Sequence, residues 1–251
     1  MKLVLSALAF LVTGALAAEP AFPLKVADNG RYLADSIGAP FLYLADTGGR
    51  LFTDLTMEEA LHYLDDRRAK GFTAIQSQLV VHRGEGKAVT REGLATFLDA
   101  KNEDIAQPNP AYFAHTEKLV EEAADRGLLM AMSSLWFGYK GTGYITALDQ
   151  AKARAFGRYL GERFKRFDNV IWIHGGDFRP GEKIEAVREL AAGLRETAPH
   201  HLQTFHNGGN TASTEDFAAD AWLDIDMVES VDPPETYSRG CFCRYAARTR
   251  E

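Results

Sequence analysis

From Phe41 onward the chain repeats one unit: a short apolar run, a polar loop, then an amphipathic helical stretch. Strands separated by helices cannot pair as tight hairpins, because each helix must cross back over the sheet before the next strand begins. The arrangement that satisfies this is a parallel sheet with crossover helices. Residues 41–45, 72–81, 128–135, 170–174, 202–206 and 223–228 are predicted as six successive strands. The intervening helices carry their own punctuation. Thr56-Met57-Glu58-Glu59 is a capping box, Asn109-Pro110 opens the next helix, and Gly71 and Gly127 stop the first two. Tyr112, Phe113, Thr116, Leu119, Val120 and Ala123 fall on one side of the second helix. Phe156, Tyr159, Leu160 and Phe164 do the same within 146–166, and Ile184, Val187, Leu190, Ala191 and Leu194 in the helix after that.

Ahead of this repeat, residues 24–35 hold Asp28-Asn29-Gly30 between short alternating runs, which predicts a β-hairpin cap with positive φ at Asn29 and Gly30. Earlier still, Lys2, the apolar run 3–12 and Ala15-Leu16-Ala17 have the order of a signal peptide over residues 1–17. The expected location is therefore secreted or periplasmic. That run is short for a bilayer span and no later segment is long and uncharged enough, so no membrane insertion is expected once the leader is removed. The net charge of −7 disfavours a nucleic-acid partner. Cys241 and Cys243, one residue apart, make a poor disulfide and a weak metal signal; no His-Glu-x-x-His occurs either, and no cofactor or metal is expected.

Each predicted strand ends in polar or aromatic residues: Asp46 and Thr47, Gln76 and Gln78, Trp136, His174 and Asp177, His206 and Asn207, then Glu229. In a barrel those ends share one face, where sites are built. Glycosidic cleavage needs two carboxyl groups, and Asp177, following an apolar strand and two glycines, is the leading acid candidate. A neighbour such as Trp172 or Trp136 that partly buries a carboxyl favours its protonated form. The competing reading of Asp177 is a helix cap. Asp46 is an alternative acid, a ligand for sugar hydroxyls, or a loop cap. Trp136 is a sugar platform or ordinary packing, and His174 and His206 are substrate donors or structural histidines. Gln76 joins the substrate-binding candidates, and Glu229 is the second catalytic candidate.

The segments Leu24-Lys25-Val26, Gly30-Arg31-Tyr32-Leu33, Pro40-Phe41-Leu42-Tyr43-Leu44-Ala45-Asp46-Thr47, Arg67-Arg68-Ala69-Lys70-Gly71-Phe72-Thr73, Asn109-Pro110-Ala111-Tyr112-Phe113 and Ile171-Trp172-Ile173-His174-Gly175-Gly176-Asp177 together resemble the apiosidase-like catalytic domain family. The resemblance implies an α/β (β/α)8 TIM barrel over residues 18–251, a retaining two-carboxylate mechanism with Asp177 as acid/base, and release of apiose from pectic oligo- or polysaccharide. It also implies a nucleophilic Glu in a Gly-Glu-Pro-like motif on strand seven. Nothing in the chain matches that motif, and residues 239–251 do not read as the next helix. The expectation is an incomplete barrel of about six strands, without the usual nucleophile and nearly inactive, or a non-catalytic carbohydrate-binding remnant. Gly48-Gly49 and Glu229 depart from the family pattern, which expects an aromatic and a Gln there.

Overall fold

The computed structural model describes residues 19–81, 88–138, 144 and 148–228. The leader, residues 82–87, Glu229, both cysteines and the 239–251 tail lie outside the described residues. Two sheets are present. A small antiparallel sheet runs β1 (Lys25–Val26), β2 (Leu33–Ala34), β3 (Pro40–Phe41), and a parallel sheet runs in sequence order through β4 (Ala45–Thr47), β5 (Ala74–Gln78), β6 (Leu129–Trp136), β7 (Val170–Gly175) and β8 (Leu202–His206). Helices α1 (Leu51–Asp54) and α2 (Met57–Ala69) lie between β4 and β5. Then α3 (Pro110–Ala124), α4 (Gln150–Phe164) and α5 (Ile184–Thr197) separate the later strands, and α6 (Thr214–Phe217) follows β8.

The local signals act as expected. Thr56 Oγ1 accepts from Glu59 N at 3.2 Å while Glu59 Oε2 accepts from Thr56 N at 2.8 Å, completing the capping box. Asn109 accepts from Ala111 N ahead of Pro110, and Asp149 accepts from Lys152 N to start α4 at Gln150. The cap differs from a simple hairpin. Gly30 takes φ 67°, but Asn29 does not share the positive φ; its side chain instead accepts from Arg31 N. The run 41–45 is also split, because Pro40–Phe41 pairs with β2 while Leu42 and Leu44 are exposed and β4 begins only at Ala45.

The parallel sheet has two buried faces. Leu24, Leu33 and Phe41 of the cap pack with Ala74, Leu129, Ala131, Ile171, Ile173 and Leu202, which defines the barrel interior and plugs it at the N-terminal ends of the strands. Ile75, Met130, Met132, Val170, Trp172 and Phe205 alternate with these and pack against the helices. The C-terminal strand ends, opposite the plug, form the mouth.

The expected sixth strand is not formed. Asp224 N and Ile225 N both donate to Gln203 O at 3.0 and 3.3 Å, and there the ladder stops. Thr204 Oγ1 donates to Ile225 O, while Ser213 Oγ donates to Phe205 O at 2.6 Å, occupying a carbonyl that another strand would use. Residues 226–228 then turn to the Ala212–Ser213 segment, with Ser213 N donating to Met227 O and an antiparallel bridge between Ala212 and Val228. The result is an incomplete TIM-type barrel of five consecutive parallel strands among the described residues.

Helices α4 and α5 approach closely because glycines face each other. A Cβ at Gly157 would collide with the Leu190 carbonyl oxygen, and one at Gly193 with that of Arg154. Alanine at Gly157 gains about 1 kcal/mol in helix propensity, yet forcing the helices apart costs about 1–3 kcal/mol. Gly157→Ala is therefore predicted to lower the urea midpoint; an unchanged or higher midpoint would show that this contact yields freely.

Candidate active site

Period-two alternation decides which strand-end residues reach the mouth. In β8, Leu202 and Thr204 face the interior, and His206 continues that face at the C-terminal end. In β6, a register shift between Ser133 and Trp136 brings the Trp136 indole to the mouth, where its ring lies 5.2 Å from the His206 ring at 59°. In β5, Gln76 shares the parity of Ala74, and Gln76 Oε1 accepts from Tyr43 OH at 3.5 Å.

Asp177 stands beyond β7 on a turn that only glycine permits. Gly175 has φ 89°, and a Cβ there would lie 2.5 Å from His206 O; Gly176 has φ 154°, and its Cβ would meet the Trp136 ring at 3.0 Å. Gly176 N donates to His206 O at 3.0 Å and Phe137 N to Gly175 O at 3.1 Å, pinning the turn on both sides. The Asp177 side chain is left 39% exposed, with Oδ1 3.7 Å from His206 Nδ1. Beyond it, Arg179 Nη2 donates to Asp216 Oδ1 at 2.5 Å, and Asn207 Nδ2 donates to Asp216 Oδ2 at 3.0 Å and to Ala212 O at 3.1 Å. Asp216 thus ties the loop after β7 to the loop after β8. Neither Arg179 nor Asp216 carries a sequence signal that distinguishes it from other surface charges.

Three residues singled out from the sequence have other positions. His174 is one residue out of phase: it faces the helix layer, fully buried, with Nε2 donating to Gln203 Oε1 and Nδ1 accepting from Ser134 Oγ, both at 2.8 Å. Its nitrogens are both satisfied, so it is a structural histidine rather than a substrate donor. Trp172 has the same parity and donates from Nε1 to His201 Nδ1 at 3.0 Å, leaving Trp136 alone of the two tryptophans beside the Asp177 turn. Asp46 also points outward; its Oδ2 accepts from Tyr63 OH and Arg67 Nη1, both at 2.8 Å, so its carboxylate fastens α2 to β4 instead of facing the mouth. Glu229 lies outside the described residues.

A cavity of about 140 Å³ opens on the interior face between Tyr43, Ile171, Ile173, Thr204, Ile225 and Met227. It is smaller than the ~300–1,000 Å³ of ordinary ligand pockets and nearly all apolar, so the place suited to a polar ligand is the mouth above it. No group of three or more His, Cys, Asp or Glu among the described residues is placed to hold a metal ion. No helix among them is long and apolar enough to cross a membrane.

Burial lowers the imidazoles of His174 and His201 to about 4. Both are neutral when folded, whereas the unfolded chain binds protons near pH 6.5, so their contribution is complete above that pH and is lost as pH falls from about 6.5 toward 4. Urea unfolding is predicted to lose about 2 kcal/mol per imidazole between about pH 7.5 and pH 5. A flat profile across that interval would contradict the neutral, bonded state of both rings.

Comparison with known proteins agrees with this architecture. One similar structure is a glycoside hydrolase family 5 protein from Bacteroides vulgatus ATCC 8482, with TM-score 0.71 and 31% identity over 82% of this chain and 44% of that one. A second, described as a glycoside hydrolase, has TM-score 0.70 and 29% identity over 83% of this chain and 47% of the other. A glycoside hydrolase family 5 mannosidase from Rhizomucor miehei, at 14% identity and TM-score 0.60 over 82% of this chain and 61% of its own, shares the fold. The chain spans less than half the length of the first two. No curated protein matches it. The apiosidase-like catalytic domain profile matches residues 27–248, and the chain belongs to that family.

Proposed function

We propose that this chain is the Asp177-bearing part of a secreted or periplasmic glycoside hydrolase acting on plant pectic polysaccharide by a retaining two-carboxylate mechanism. The observation that carries the reading is the placement of Asp177: a partly exposed carboxyl on a double-glycine turn at the barrel mouth, beside Trp136 and His206. From there the carboxylic acid gives its proton to the leaving glycosidic oxygen, and the resulting carboxylate later takes one from the attacking water. The indole offers an apolar platform for a sugar face. The polysaccharide and the apiose specificity rest on family membership, and export rests on the leader-like residues 1–17.

A retaining mechanism also needs a carboxylate about 5–5.5 Å from the acid. None of the Gly-Glu pairs in the chain, at Gly84-Glu85, Gly161-Glu162 and Gly181-Glu182, is followed by Pro. The second carboxylate of the proposed mechanism is Glu229 or a strand-seven Glu of the family pattern, and a barrel without it turns over far more slowly. A second reading, a carbohydrate-binding module without catalysis, is favoured by the Trp136 indole beside His206 at the mouth.

Hydrolysis of an aryl apioside and of an apiose-containing pectic oligosaccharide separates these readings. Under the proposal, Asp177→Asn lowers residual cleavage of the oligosaccharide by about 10²–10⁴-fold, with a smaller loss on the aryl apioside, whose leaving group needs less protonation. Cleavage indifferent to Asp177→Asn would remove the acid/base assignment. An equally steep loss in Glu229→Gln would assign the second carboxylate to Glu229. Binding without turnover, abolished by Trp136→Ala and kept by Asp177→Asn, would establish the binding module.

A further inference from the structure

The His206 ring is 7% exposed, and among the described residues its buried Nδ1 has no hydrogen-bond partner, an arrangement a native interior ordinarily avoids. That nitrogen is 3.7 Å from Asp177 Oδ1, the carboxylate that faces it among the described residues. The ring has little freedom to turn elsewhere. One face lies against Trp136, the His206 carbonyl is bound by Gly176 N, and Gly175 packs directly on that carbonyl. Asp177, by contrast, sits on an exposed turn, so the carboxylate rather than the ring can move to close the gap. Among the described residues, the other charged groups of the surrounding loops are engaged: Arg179 with Asp216 and Glu215, and Asp226 with Thr214. His174 faces the opposite side of the sheet.

We propose that His206 is the positioning residue of Asp177: its Nδ1–H donates to Oδ1 of the carboxylate, which leaves Oδ2 as the oxygen that exchanges protons with substrate. This rests on Asp177 being the acid/base. The proton balance closes without another reactant. Asp177 Oδ2–H passes its proton to the leaving oxygen, the Nδ1–H bond holds the resulting carboxylate, and Oδ2 regains a proton from the incoming water. His206 neither gains nor loses a proton in the cycle. Its role differs from hydrogen bonding to substrate, because the nitrogen concerned is turned to the carboxylate.

Ring-nitrogen NMR of the intact chain, without substrate, tests it at about pH 8.5, where an ordinary imidazole is neutral. The wild-type ring is expected to be the Nδ1–H tautomer. In Asp177→Ala, with the acceptor removed, the population should shift toward Nε2–H while the backbone amide spectrum stays folded. A wild-type ring already in the Nε2–H form overturns the proposal even if the variant cannot be purified, and so does a ring unchanged by Asp177→Ala. Because no turnover is read, this outcome is independent of the hydrolysis assay: cleavage dependent on Asp177 with an Nε2–H ring would remove the role of His206 alone.

Discussion

Two missing methyl-sized groups hold the mouth of this barrel together. Gly175 brings the end of β7 against the His206 carbonyl, and Gly176 brings the next peptide against the Trp136 indole. Any side chain at either position would push β7 away from β8 or Trp136 off its ring partner, and the positive φ values exclude most residues independently of space. The close approach is what allows a carboxyl at position 177 to emerge between strands instead of continuing outward with a helix. The Asp216 contacts to Arg179 and Asn207 then fix the loop from the far side.

The interior below that turn is built from opposing constraints. The cap fills the N-terminal end with Leu24, Leu33 and Phe41, so the interior face of the sheet is apolar at its base. On the side where a closed barrel would continue, residues 224–228 leave β8 after two backbone hydrogen bonds and pair with the 212–213 segment. The Thr204 hydroxyl donates to the Ile225 carbonyl of the departing segment, and the Ser213 hydroxyl takes the Phe205 carbonyl that a further strand would have used. The edge is thereby partly satisfied, and the small apolar cavity beside it is the space that the interior side chains of five strands do not fill.

Much of this is legible in the sequence. Capping residues, stop glycines and the buried side of α3 follow directly from local chemistry, and residues 202–206 form a strand with the predicted bounds. Strand parity was not readable. In an exposed sheet, polar and apolar residues alternate and report which way each side chain points; in β7 both faces are buried, so Val170, Ile171, Trp172 and Ile173 look alike. One residue of phase separates His174, bonded inside the helix layer, from a mouth residue, and the same step turns Asp46 toward Arg67. The sixth run, 223–228, fails for another reason: its apolar pattern suits a strand, but Ser213, in the connection between β8 and this run, competes for its hydrogen bonds.

The placement of a sugar site at this rim is tested most directly by backbone and side-chain NMR of the chain titrated with an apiose-containing pectic oligosaccharide. The predicted result is saturable shifts at the amides of Gly176, Asp177 and His206 and at the Trp136 indole N–H, with the cap and the His174 and His201 rings unmoved. Absence of binding, or shifts confined to the cavity residues Ile225 and Met227, would contradict it.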